Sequence, residues 1–411
     1  MEQSSAGRRE RRRSPGEGSV YKVEGGRRWR GAVRWTEADG TQRRRVVSGR
    51  TQAEARAAVD ALRRELHLGT PVPKGRAPTV AEYLAEWIER NRARVRPSTW
   101  LVREQHVRLW LVPALGRIAL VRLTSTDVER ALAAFLKSGR PVTAAEAAKS
   151  ARPPRRAVSP RTVFHIRTTL RIALNDARRE GLVARNAAGD ARPPRVPYTP
   201  IAYLSAEQAA RLVESTRDHE YGPIYALAVS TGLRQGELLA LSWPDVDFNA
   251  GTLTVRRSLA RTAEGSYALG ETKTPQSRRT IPLGATARVA LRRQQARQAT
   301  LRLAAGPTWQ DPAEKDGLVF ADAVGRPLNP PHVTYALKKT LAAAGLPAVR
   351  FHDLRHSAAT LLLAEGVPLA VISAVLGHTS ISVTSTFYAA VLPKAEREAM
   401  AALDHALSGP A

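Results

Sequence analysis

Ser230–Val255, STGLRQGELLALSWPDVDFNAGTLTV, takes the chain from helix to sheet in one stretch. Upstream, Ser205 and Gln208 box a helix start, and a helix through Ala228 ends near Gly232. Arg234 begins the next helical run, to Leu241, with Glu237 one turn on. Strand-like residues follow at Gly251–Ser258 and again at Arg279–Leu283, around a long polar hairpin. The remainder, to Ala411, has helical periodicity. A small sheet set among helices is an α+β arrangement.

Two proline-rich stretches mark off the rest of the chain. TPVPKGRAPT (Thr70–Thr79) and ARPPRVPYTP (Ala191–Pro200) cannot continue a helix or a central strand, because proline fixes φ and lacks a donor. Three domains are therefore expected, at residues 1–75, 76–195 and 196–411. In the first, short β-like runs at Ser19–Val23, Trp29–Thr36 and Gln42–Val47, with a turn at Ala38-Asp39-Gly40, predict a three-stranded sheet. A helix opens at the Thr51–Glu54 capping box. On the middle strand a period of two sets Arg28, Arg30 and Arg34 on one face and Trp29, Val33 and Trp35 on the other. The basic face, with Arg43 and Arg44 beside it, suits a DNA groove. In the second, Val80, Tyr83, Leu84, Trp87 and Ile88 form one apolar stripe behind Thr79. Thr126 and Glu129 read as a further capping box, and Ser159-Pro160 opens a long helix through Ala177. Arg103 and Arg167 are candidate phosphate contacts there. The Pro/Ala/Arg-rich segment between Lys137 and Pro160 reads as a flexible insertion.

Composition narrows the class. Lys and Arg number 64 against 37 Asp and Glu, a net charge of +27, and a polyanion is the natural partner of such an excess. There are no cysteines, which removes disulfides, thiolate metal sites and cysteine nucleophiles. The longest apolar run, Leu361–Leu376, is broken by Glu365, Gly366 and Pro368, so no membrane span is expected. The N-terminus has charge but no apolar h-region, and a cytoplasmic, nucleoid-associated protein is expected.

Taken singly, Arg234, Lys273, His352, Arg355, His378 and Tyr388 each have a plain structural explanation: a helix start, a polar hairpin, a helix face, a cap, a core tyrosine. Their conjunction is the residue set that transfer of a phosphoryl group from DNA to tyrosine requires. Two guanidiniums clamp the non-bridging oxygens, a histidine accepts the phenol proton, and a lysine protonates the departing 5′ oxygen. The tyrosine ester conserves bond energy, so no nucleotide is needed. No phosphate-cradling G-x-x-x-x-G-K-[ST] loop and no clustered carboxylates for metal ions stand in the sequence, so no cofactor and no metal are expected.

At these residues the sequence resembles the tyrosine recombinase (phage integrase) family. The words that carry the likeness are Ser230–Val255, TKTPQSRRTIPL (Thr272–Leu283) and Phe351–Tyr388, FHDLRHSAATLLLAEGVPLAVISAVLGHTSISVTSTFY. The resemblance implies that Arg234 and Arg355 clamp the phosphate, Lys273 is the general acid, His352 a candidate base, His378 an accessory donor and Tyr388 the nucleophile. Glu237 would support the first arginine. It also implies an arm-type DNA-binding domain at 1–75, a helical core-binding domain at 76–195 and a catalytic domain at 196–411. The implied activity is integration or excision of a mobile element at attachment-site DNA, through a 3′-phosphotyrosine. The implied partners are double-stranded DNA, three further copies of the chain in a homotetramer, a small excision factor and a DNA-bending host protein. Ala390 departs from the pattern, since the family often has histidine two residues after the tyrosine. Three other readings compete: a chromosome-dimer resolvase, a type IB topoisomerase, and a non-catalytic helix-turn-helix regulator built on Leu369–Ala389.

Overall fold

The computed structural model describes residues 19–23, 28–36, 41–67, 76–141, 158–272, 277–310 and 317–377, with Met400, Asp404 and Leu407. The chain forms two compact units, Met1–Pro197 and Tyr198–Ala411. The turn at Ala38-Asp39-Gly40, most of the insertion after Pro141 and the second helix of the helix-turn-helix reading lie outside the described residues.

In the first unit β1 (Ser19–Lys22), β2 (Trp29–Thr36) and β3 (Gln42–Gly49) form an antiparallel sheet in that order. The expected alternation holds. Val33 is buried against Val59 and Leu62 of α1 (Gln52–His67), with Trp35 and Val47 beside it, while Arg30 and Arg34 are exposed. Gly31 faces the same helix, and a Cβ there would stand 2.2 Å from the Val59 side chain. Glycine at this position lets α1 lie close on the sheet. The Thr51 hydroxyl accepts from the Glu54 backbone at 3.1 Å, and Glu54 reaches back to the Arg50 backbone at 2.7 Å, which ties down the helix start.

The helical part of this unit comprises α2 (Val80–Arg92), α3 (Pro97–His106), which runs on through a π turn (Val107–Leu111) into α4 (Val112–Leu115), then α5 (Ser125–Ser138), α6 (Pro160–Arg179) and α7 (Ala187–Asp190). All five residues of the α2 stripe are buried. Two polar tips in that stripe find partners on α6, as buried aromatic donors must. The Tyr83 hydroxyl donates to the Ala173 carbonyl at 2.9 Å, and Trp87 Nε1 donates to Asp176 at 2.8 Å. One cap differs from expectation. α5 begins two residues earlier, with Thr124 and Asp127 forming the capping box, and Glu129 instead accepts from the Arg192 backbone at 2.8 Å.

The second unit opens with α8 (Ala206–Ser215), α9 (Gly222–Thr231) and α10 (Gln235–Leu238). A three-stranded sheet follows in the order β4 (Val246–Asp247), β5 (Thr252–Val255), β8 (Arg279–Pro282). β6 (Arg257–Arg261) and β7 (Tyr267–Glu271) form a separate ribbon, so the strand-like zone at Gly251–Ser258 breaks at Arg256 between two sheets. α11 (Ala285–Ala305), α12 (Pro330–Ala343), α13 (Phe351–Ala364) and α14 (Leu369–Leu376) complete the described elements. One core gathers Tyr225, Leu238, Leu291, Phe320, Leu337 and Leu354. No described helix is long and apolar enough to cross a membrane.

Candidate active site

Two arginines from separate words of the sequence, Arg234 and Arg279, hold one carboxylate, Glu237, and a third, Arg355, lies beside them. α9 ends at Gly232 in the left-handed region, φ 63°, and the chain turns so that Arg234 stands at the start of α10. Its Nη1 donates to Glu237 Oε1 at 2.7 Å and its Nη2 to the Gly377 carbonyl at 3.1 Å. From β8, Arg279 Nη2 donates to the other Glu237 oxygen at 3.1 Å. From α13, Arg355 Nη1 donates to the Gly232 carbonyl at 2.8 Å. Arg355 is only 2% exposed, and its Nη2 is buried without a hydrogen-bond partner among the described residues.

The charges do not balance. Three guanidiniums stay protonated under any ordinary condition, and Glu237 supplies a single negative charge. Burial alone raises the Glu237 carboxyl, but Arg279 and then Arg234 more than reverse this and hold it below the ordinary carboxylate range. Burial, and after it the charge of Arg234, pulls the Arg355 pKa down. A buried cation with a free donor is costly unless something anionic completes it.

His352 and His356 sit one turn apart on α13, rings edge to face at 4.8 Å. His352 is exposed, and its pKa is lowered first by desolvation and then by the charge of Arg355. It is therefore neutral near pH 7 and able to accept a proton. His356 is pushed down to about 4, chiefly by burial, and lies 3.8 Å from Asp353, which is itself held by Arg350 at 2.7 Å. Beside the arginine group, β5, β8 and the β6–β7 ribbon border an open cleft of about 950 Å³, lined among others by Arg256, Arg257, Arg278 and Arg279. Lys273 falls on the connection between β7 and β8. Lys273, His378 and Tyr388 lie outside the described residues.

Of the expected residues, Arg234, Glu237, His352 and Arg355 come together. Arg279 was not foreseen, although a signal existed: it shares the face of β8 with Ile281, which is buried. Arg30, Arg34 and Arg44 share the exposed face of the N-terminal sheet, Arg34 directly opposite Arg44, and Arg28 just ahead of β2 is also exposed. Arg43 does not join them. It pairs with Trp35, on the face toward α1. Two other expected DNA contacts are engaged within the protein. Arg167 is buried and donates to the carbonyls of Gly189 and Ala191, at 3.1 and 2.6 Å. Arg103 bonds Asn91 at 2.8 Å and lies over the Trp87 ring.

Comparison with known proteins adds a second line of evidence. Residues 202–394 match the model of the phage integrase family, and residues 79–135 match that of the phage integrase N-terminal SAM-like domain. An integrase of Streptomyces ambofaciens is 31% identical over 402 residues, covering 92% of this chain and 93% of that protein. A XerC-like tyrosine recombinase of Caldanaerobacter subterraneus is 33% identical over 260 residues, covering 60% of this chain and 66% of that one. Among solved structures, the Tn1549 transposon integrase in complex with transposon right end DNA aligns with a TM-score of 0.63 at 20% identity, over 79% of this chain and 99% of that one.

Proposed function

Because the chain belongs to the phage integrase family of tyrosine site-specific recombinases, we propose that its three-arginine pocket receives the scissile phosphate of attachment-site DNA. The observation that carries this assignment is the buried Arg355 with its unpartnered Nη2, beside Arg234, where three cations face one carboxylate. A phosphodiester supplies the missing charge and the missing acceptor at once, and planar guanidiniums match its oxygens.

In this reading Tyr388 attacks the phosphorus and passes its proton to His352, which its surroundings keep neutral. Charge builds on the non-bridging oxygens, where Arg234 and Arg355 stabilise it. The bond to the 5′ oxygen breaks, Lys273 protonates that oxygen, and a 3′-phosphotyrosine remains. A 5′ hydroxyl from a second duplex then attacks, the bond from phosphorus to Tyr388 breaks, and the strand is rejoined without nucleotide or metal. His378 donates a further hydrogen bond. Residues 1–75 would engage a second class of DNA site through the Arg30, Arg34 and Arg44 face. Residues 76–195 and 196–411 would each contact the core site. Four copies would act together, with an excision factor and a DNA-bending host protein setting direction.

Trapping on a nicked attachment-site duplex tests this, with EDTA present and analysis on a denaturing gel. Wild type is expected to form a covalent adduct that Tyr388→Phe loses while still binding the DNA. Tight binding without an adduct would favour the helix-turn-helix regulator.

A further inference from the structure

Arg279 is 8% exposed in its side chain and makes three separate attachments. Nη2 donates to Glu237 Oε2 at 3.1 Å, Nη1 to the Ser277 carbonyl at 3.1 Å, and Nε to the Val375 carbonyl at 2.6 Å. Arg234 donates to the other Glu237 oxygen and to the Gly377 carbonyl. Val375 and Gly377 close α14, where the final carbonyls have no partner within the helix and the dipole favours cations. The contacts therefore form a ring: Arg279, Glu237, Arg234, then back through the end of α14 to Arg279. Gly377 belongs to it sterically as well. It sits at φ +66°, and a Cβ there would stand 3.0 Å from the Arg279 Cδ and Nη1.

We infer that Arg279 is a positioning residue for strand cleavage. It acts through Glu237 on the orientation of Arg234, and it fixes the point at which the chain leaves α14 toward His378. Each of its three nitrogens already donates to a protein acceptor, so it shapes the pocket without needing to touch the phosphate. This rests on the recombinase reading above. Lysine cannot replace it, because a single ammonium lacks the fork that reaches Glu237 and the helix end together.

The test is single-turnover cleavage of nicked attachment-site DNA by wild type, Arg279→Lys, Arg279→Gln, Glu237→Gln and the double variant Glu237→Gln/Arg279→Gln, with DNA affinity and thermal midpoint measured alongside. Both single Arg279 variants are expected to bind DNA normally. Their cleavage should slow by roughly 10- to 100-fold, the size of effect that a misplacement of about 1 Å produces. In the Glu237→Gln background the added loss from Arg279→Gln should shrink to about 2-fold, because the route between the two arginines is already cut. Wild-type rates in Arg279→Lys, or a cleavage loss that tracks lost DNA affinity, would overturn the inference. So would a lower thermal midpoint with an unchanged rate per folded molecule. Failure of wild type itself to form an adduct is a different result, and would remove the recombinase reading along with this one.

Discussion

Burying a guanidinium with one nitrogen unpartnered opposes folding: desolvation costs several kcal/mol, and the Gly232 carbonyl and the Glu237 charge return only part of it. Arg355 is in that position, held at one end by the Gly232 carbonyl and free at the other. Its place is explained by what binds there. Arg355→Met is therefore expected to leave thermal stability unchanged or to raise it by about 1–2 kcal/mol, while slowing cleavage by roughly 100- to 1,000-fold. Thermal denaturation and single-turnover cleavage on one preparation check both arms, and a large loss of stability would show Arg355 to be a packing residue. At this scale the sequence was legible where function depends on residue type and order, as for Arg234 and Arg355. It was less legible where a side chain's direction decides. Arg167 lies on the apolar stripe of α6 with Val163, Ile166 and Leu170, and that spacing alone points it inward.

Among the elements, the start of α5 shows how a local pattern can be ambiguous. TSTDVE contains two overlapping cap frames, Thr124 to Asp127 and Thr126 to Glu129. The chain uses the first: the Thr124 hydroxyl accepts from the Asp127 backbone at 3.2 Å, and the Asp127 carboxylate accepts from the Thr124 backbone at 3.2 Å. The Thr124 hydroxyl, which also donates to the carboxylate at 2.6 Å, and after it the Thr124 backbone N–H hold the Asp127 carboxyl below its ordinary pKa. Thr124→Ala should then cost about 1 kcal/mol in urea unfolding and Thr126→Ala only a few tenths. The reverse order would restore the Thr126 frame. Elements defined by long periodic stretches, such as the α2 stripe or β2, could be read directly because every position repeats the same message. Arg279 was missed for a physical reason: its partners come from α10 and α14, far off in sequence, and only folding brings them to β8.

At the scale of the whole molecule, His106 and His356 tie stability to pH among the described residues, with His352 lowered in the same direction. His106 is hydrogen-bonded to Thr169 at 2.8 Å, and burial lowers it to about 4. His356 falls to about 4 as well, again chiefly through burial. Each belongs to a different unit. Both folded values lie below the unfolded value of about 6.5, so the unfolded chain binds the extra protons. The stability tied to these neutral rings is complete above pH ~6.5 and is lost as pH falls from there toward ~4. Thermal midpoints should decline across that window, and His106→Gln should flatten the decline. An unchanged profile in that variant would show His106 to be protonated in the folded protein. The net charge of +27 adds self-repulsion that salt screens, so the scans belong at fixed ionic strength.

If Arg355 and its neighbours exist to hold a phosphate anion, altering the charge of the DNA should change what Arg355 contributes. An attachment site whose scissile phosphate is replaced by a neutral methylphosphonate removes the negative charge the pocket is built to meet. Single-turnover cleavage of both substrates by wild type and Arg355→Ala then separates charge from packing, since the ratio of rates within each protein cancels any difference in folded fraction. Arg355→Ala is expected to be far less impaired on the methylphosphonate than on the phosphate. An equal defect on both would mean that Arg355 does not meet the scissile phosphate's charge, and the pocket would need another occupant.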